Sequence, residues 1–297
     1  MYKTNIRKKY ILVITLSIIL FLSNTCLAAI SVQEIINNLQ KEYEQQMAGV
    51  NDYSIIQKPS GGIASFAGET KIFYKKARIN GEDVYKTRTE TEVMGMDFIS
   101  IYDGKYNWST DPMTGEIEKE LAQTNPAQFW KNINLSNTSY LGEDTIDGEK
   151  VYLLQIENAL QVMGGLQAQA SSIQDDGLEL ATGKLWISSK TWIPLRMQMT
   201  IKAGSEGEDI AMNLISTTDF RDYRQVGSML HPFQLIMSTS TEIDTSGMSE
   251  EEKEEQEEAM RMVQSMMSGM GSFTIDTMDL SVNAGLSDDL FDGTKLE

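Results

Sequence analysis

The order of apolar and polar positions divides the chain into a leading apolar block, one amphipathic helix and a long series of strand patterns. Ile11 to Leu22 is an almost unbroken apolar run. Val32, Ile35, Ile36, Leu39 and Tyr43 then recur at helical spacing. Ser31, with Glu34 at the third helical position, predicts a capping box at the start of that helix. The helix is expected to run to about Met47 and to stop near Gly49. From Asp52 the texture changes to strands: 70–79, 84–93, 97–102, 106–108, 151–156, 183–188, 193–201, 210–216, 229–241 and 273–282. Asn80-Gly81, Asp103-Gly104 and Asp147-Gly148 are hairpin dipeptides, because Gly and Asn or Asp accept the positive φ of tight turns. Pro126 after Asn125 predicts a short helix with proline in its first turn. The reading is roughly ten to twelve strands in antiparallel meander pairing. No strand alternates with a long helix, which rules out Rossmann and TIM architectures.

Two segments interrupt the strands. One, at about 158–181, is polar and small, with a weak helical pattern over Leu160 to Ile173. The other, at about 246–271, begins with Glu250, Glu251, Glu252, Glu254 and Glu255 behind Ser249, acids that complement a helix N-terminus. It ends in a methionine-rich stretch in which Met260, Val263, Met267 and Met270 share one helical face. That stretch either completes a core or covers an apolar cavity; methionine is flexible enough for both.

Charge and composition narrow the partners. The 297 residues carry 43 acidic and 25 basic side chains, a net charge of −18. Lys3, Arg7, Lys8 and Lys9 precede the apolar run, and Cys26 and Ala28 stand at −3 and −1 of a cleavage site before Ala29. This is the layout of a secretory signal over residues 1–28, with an extracytoplasmic, periplasmic-type destination. An uncleaved anchor and a lipid on Cys26 are the alternatives, although Ser23-Asn24-Thr25 suits lipid attachment poorly. Removal of the segment leaves 21 basic groups against 43 acidic ones, or −22, which repels nucleic acid. With Cys26 and His231 as the lone cysteine and histidine, no internal disulfide and no Cys/His zinc site can form.

The chemistry of known catalytic motifs is missing. There is no G-x-S-x-G, P-loop, HExxH or G-x-G-x-x-G pattern. Asp175-Asp176 and Asp288-Asp289 read as solvated loop acids, and His231, before Pro232, as an ordinary strand residue. No enzyme activity and no cofactor are expected. The strands point instead to an apolar surface. Leu195, Met197, Met199 and Ile201 alternate onto one face, as do Met212 with Leu214, and Phe233 with Leu235 and Met237. Such a face is a core when helices fill it, and a ligand groove when the sheet curves and the filling is incomplete.

Five segments, in order, resemble motifs of the LolA-like superfamily of outer-membrane lipoprotein-sorting and carrier proteins. They are Asp103-Gly-Lys-Tyr-Asn-Trp-Ser-Thr-Asp-Pro112, Gly142 to Leu154, Leu185 to Met197, Asp219 to Phe233, and Ser281 to Phe291. Thr110 stands where the first motif has Tyr, and the fourth is looser in spacing. The resemblance implies a mainly β single domain over 29–297 with some α: a strongly curved antiparallel sheet, or incomplete barrel, covered by helices. It implies non-covalent binding of lipoprotein acyl chains or other lipid, with a membrane-protein donor and acceptor. The alternative is an envelope sensor or scaffold acting through protein contacts. The candidate lipid-binding residues are Trp108, from the first motif, Leu195, Met197, Met199, Met212, Leu214, Phe233, Leu235 and Met237, with Met260, Val263 and Met267 from the methionine-rich segment. No motif places the family's cavity arginine.

Overall fold

The computed structural model describes residues 30–62, 67–111, 113–122, 125–159, 178–203, 212–243 and 272–296. The leader expected at 1–28, most of the 158–181 interruption and all of the 246–271 segment lie outside these residues. So do Met260, Val263 and Met267. Among the described residues, helix α1 (Val32–Met47) precedes thirteen strands. These are β1 (Asp52–Ser60), β2 (Ala67–Ile79), β3 (Glu82–Val93), β4 (Met96–Tyr102), β5 (Tyr106–Thr110), β6 (Ile117–Leu121), β7 (Thr138–Ile146), β8 (Glu149–Ile156), β9 (Leu178–Ser188), β10 (Pro194–Ala203), β11 (Met212–Val226), β12 (Met229–Ile243) and β13 (Phe273–Val282).

The strands make one antiparallel sheet in the order β6-β5-β4-β3-β2-β1-β13-β12-β11-β10-β9-β8-β7. It is open and curved, an incomplete barrel of two meanders joined where β1 pairs with β13. Two of the hairpin dipeptides act as expected, with Asn80 and Gly81 at φ 53° and 87° and Asp147 and Gly148 at 50° and 80°, whereas at Asp103-Gly104 the glycine alone, at 101°, takes positive φ. Met94 and Gly95 make a third turn of this kind, with Met94 in the left-handed region.

β6 and β7 are successive in the chain yet lie at opposite edges of the sheet. The route between them carries the segment Pro126–Asn132, a 3-10 helix broken at Gln128, rather than a regular α-helix turn. Asn125 caps it by accepting a hydrogen bond from the Ala127 amide (3.0 Å). This segment and α1 plug one end of the same face, here called the inner face. Tyr43 of α1 stacks on Trp130 at 4.4 Å, and the Gln40 side-chain amide donates to the carbonyls of Trp130 and Ile133.

The Ser31 half of the capping box expected for α1 is present, with Ser31 Oγ accepting from the Glu34 amide (3.2 Å). Ile35, Ile36 and Leu39 of α1 are buried against Leu154, Ile187 and Met199 of the sheet. A second buried cluster, around Val50, Tyr53, Tyr85 and Leu280, continues the plug under β1, β3 and β13. At the helix C-terminus the Gln46 carbonyl accepts from Ser228 Oγ (2.6 Å), and Gln46 Oε1 accepts from the Leu230 amide (3.1 Å). The plug therefore sits at the β11–β12 turn end of the sheet.

The outer face is covered in one region by the C-terminal segment. Lys75 Nζ donates to the Leu286 carbonyl (2.6 Å), and Arg88 Nη1 to that of Leu290 (3.2 Å). Phe291 is buried there, and Gly293 lies against the Trp108 ring. Buried Asp52 anchors the start of the segment by accepting from the Gly285 amide.

Candidate functional site

Strand pairing assigns each candidate to a face. Met197 pairs with Leu185 and Met199 with Gly183, which puts both methionines on the inner face. There they pack under α1 and are 2% and 1% exposed. Leu214 pairs with Ile201, Leu235 with Ile275, and Met237 with Thr218, so these residues continue the same face. All three are half-buried, as is Phe233, which packs against the second cluster beside Met229. Met212 lies in β11 opposite Ala203. The inner face thus passes from a closed end at α1 to half-buried apolar residues on β11–β13.

Two candidates lie elsewhere. Leu195 is expected to share a face with Met197, but the β9–β10 register shifts between Pro194 and Arg196. A bulge at that point turns a side chain out of alternation. Leu195 packs instead with Ile146, Val151 and Trp186, a small apolar cluster on the outer face. Arg196, beside it, forms a two-pronged pair with Asp219 (2.5 and 3.1 Å) and lies 5.9 Å from the Trp186 ring. Trp186 Nε1 donates to Asp144 (2.9 Å), and this bond holds the Asp144 carboxyl below its ordinary pKa. The tryptophan and arginine of the Leu185–Met197 motif are therefore an outer-face brace.

Trp108 is also on the outer face. It pairs with Ile101, which pairs with Arg88, while Tyr85 and Thr87 point to the plug side. Its Nε1 donates to Asp103 Oδ2 (2.8 Å), so the Asp-Gly turn and the tryptophan of the first motif hold each other. Asp103 also accepts from the Lys105 and Tyr106 amides (both 2.8 Å). Beside it is an open groove of about 420 Å³, lined by Lys86, Lys105, Tyr106, Asp288, Phe291 and Asp292 among others. Its lining is charged, and it lies between the C-terminal segment and β3–β5, away from the apolar inner face.

His231 falls on the third position of β12, as an ordinary strand residue would. Its Nε2 is buried without a hydrogen-bond partner, and burial lowers its pKa to about 4. No carboxylate or nucleophile is joined to it among the described residues. No group of three or more His, Cys, Asp or Glu side chains that could hold a metal ion occurs among them either.

The chain matches no protein-family profile and no curated protein. Among solved structures it is similar to an outer membrane lipoprotein-sorting protein domain from Vibrio parahaemolyticus. That likeness has 13% identity and a TM-score of 0.50, over 88% of this chain and 97% of the other. It is also similar to a DUF1329 family protein from Desulfovibrio piger, at 14% identity over 90% and 99% of the two chains, TM-score 0.49. A LolA superfamily protein from Nitrosomonas europaea aligns at 12% identity over 89% and 98%, TM-score 0.43. The first likeness, together with the open thirteen-stranded sheet, makes the fold LolA-like.

Proposed function

We propose that the chain is an extracytoplasmic carrier that binds acyl chains of a lipoprotein or another lipid on the inner face of its open sheet, without covalent chemistry. The observation that carries this reading is the half-buried apolar surface of Leu214, Leu235 and Met237 beyond the α1 plug. Ordinary cores close such residues, and a single acyl chain laid there leaves water at about 0.8 kcal/mol per CH₂. The LolA-like fold supports the reading, and so does the basic, apolar, small-residue leader, which would direct the chain across a membrane. Donor and acceptor would be membrane proteins.

A second reading, an envelope sensor or scaffold working through protein contacts, is favoured by one observation. The α1 end of the inner face is tightly closed, with Met199 buried between helix and sheet. One experiment separates the two. Protein extracted from its native envelope is analysed by mass spectrometry for bound lipid, and the delipidated protein is titrated with a fluorescent fatty acid. Co-purified lipid together with saturable binding supports the carrier. Absence of both, with a protein partner recovered by cross-linking, supports the scaffold.

A further inference from the structure

The chain is rich in charge, yet the open part of the inner face has almost none. Beyond the plug, from β10 round to β5, the described inner-face side chains include no Asp, Glu, Lys or Arg. The charges of these strands alternate to the outer face, as with Arg196, Asp219 and Arg88. Among the described residues charge is found on the inner side at the plug end, where Lys76 pairs with Tyr85 and bridges Asp83 (2.7 Å), and at the β6 edge, where Glu118 pairs with Ser109 and Glu120 with Asn107, both glutamates exposed. No described cation beyond the plug could hold a phosphate or a carboxylate. An anionic group brought onto this face would lose water without a partner and approach two acids.

Apolar side chains and hydroxyls alternate along this face. On the β11–β13 side Leu214, Leu235, Met237 and Ile275, all half-buried, lie among Ser216, Thr218 and Thr239. On the β2–β5 side Ile72 and Phe98 lie among further hydroxyls. Thr91 Oγ1 donates to Thr70 Oγ1 (3.0 Å), while Thr89, Ser100 and Ser109 spend no side-chain hydrogen bond on the described residues. Ser100 pairs directly with both Thr89 and Ser109, so these three hydroxyls form a row across three strands.

We infer that the ligand is an uncharged amphiphile: its hydrocarbon lies along β11–β13, and its hydroxyl or ester oxygens lie on the Thr89–Ser100–Ser109 row. The inference rests on the carrier reading and narrows its substrate class. A charged headgroup, where present, stays outside this face.

The test uses the full secreted chain and two lipids that differ by one phosphate, dioleoylglycerol and dioleoyl phosphatidate. Each displaces a neutral pyrene-labelled fatty alcohol. Dioleoylglycerol is expected to displace the probe at a concentration at least about tenfold lower, and raising salt should leave its own affinity unchanged, as an uncharged ligand requires. Equal or tighter binding of the phosphatidate overturns the neutral preference while the carrier reading stands. If the probe itself does not bind, the carrier reading falls and takes this inference with it. The hydroxyl row is tested by Ser100→Val with Ser109→Val, with folding checked by circular dichroism. Loss of two hydrogen bonds predicts roughly fivefold or more weaker dioleoylglycerol binding, with binding of a pyrene-labelled alkane unchanged. Equal loss for both ligands, or loss for neither, overturns the role of the row.

Discussion

Gly293→Ala tests how the C-terminal segment is held. Gly293 lies in the short 3-10 turn Gly293–Lys295, and its φ is not in the left-handed region, so the backbone itself accepts alanine. The space does not. An ideal Cβ there would fall 2.2 Å from Trp108 Cγ and 2.3 Å from Cδ2, where real Cβ atoms do not approach. Trp108 has little freedom to yield, because its Nε1 is bonded to Asp103 (2.8 Å) and Ile101 beside it is fully buried. Either the ring moves against that bond or the segment lifts away. A ring shift is overpacking, at about 1–3 kcal/mol. Lifting the segment exposes Phe291, now 1% exposed, at about 1.5–3 kcal/mol for its side chain. The cheaper route sets the loss, about 1–3 kcal/mol, measurable as a shift of the urea midpoint at constant slope. Removing the ring should relieve the clash. In a double-mutant cycle, Trp108→Leu and Gly293→Ala together should destabilise by less than the sum of the two single changes. A Gly293→Ala protein within about 0.5 kcal/mol of the parent, or strict additivity with Trp108→Leu, would refute this packing argument.

Other consequences are equally direct. Burial lowers the His231 pKa from 6.5 to about 4, so between these values the unfolded chain binds a proton that the folded chain does not. Its effect is absent above the unfolded value and grows as pH falls toward 4, reaching up to about 3 kcal/mol of lost stability. The stability gap between parent and His231→Gln, taken from urea unfolding, should therefore move by more than about 1 kcal/mol in the variant's favour from about pH 7.5 to about pH 4.5; parallel pH profiles would count against it. Met94 holds φ 54° at a turn position and is 76% exposed, so Met94→Asn should raise stability by about 0.5–1 kcal/mol in thermal unfolding; a lower Tm would contradict the turn assignment. Leu39→Ala opens a cavity in the plug beneath α1 and should cost about 2–5 kcal/mol by denaturant titration, whereas a cost under about 1 kcal/mol would mean that the plug is loosely packed.

The elements that could be read from the sequence are those whose signals are local. The Ser31 cap, the Asn80-Gly81 and Asp147-Gly148 hairpins and the alternation of Met197 with Met199 depend on neighbours a few residues away. β6 was hidden because Glu118, Lys119 and Glu120 leave too few apolar positions to show a period. The join of β1 to β13, which leaves β6 and β7 at opposite edges, is set by residues as far apart in the chain as Tyr53 and Val282, beyond any local pattern. Trp108 and Leu195 lie away from the expected groove for one shared reason. Both faces of this sheet carry apolar side chains, and what covers the outer one is either the distant C-terminal segment or a bulge-borne cluster. A signal for Trp108 was present: Asp103 before Gly104 is spaced to accept its Nε1, which anchors the ring to its own hairpin. The charge-free stretch of the inner face beyond the plug emerges only once pairing has told which positions share it.

The central claim is that hydrocarbon lies on the inner face of the open sheet beyond the α1 plug. A fatty alcohol bearing a terminal diazirine, photolysed on the folded protein and mapped by peptide mass spectrometry, tests that location. The account predicts adducts at Leu214, Leu235 and Met237, reduced by excess unlabelled lipid, and none at the Trp108 groove. Adducts confined to the outer face, or labelling that unlabelled lipid does not compete away, would contradict it.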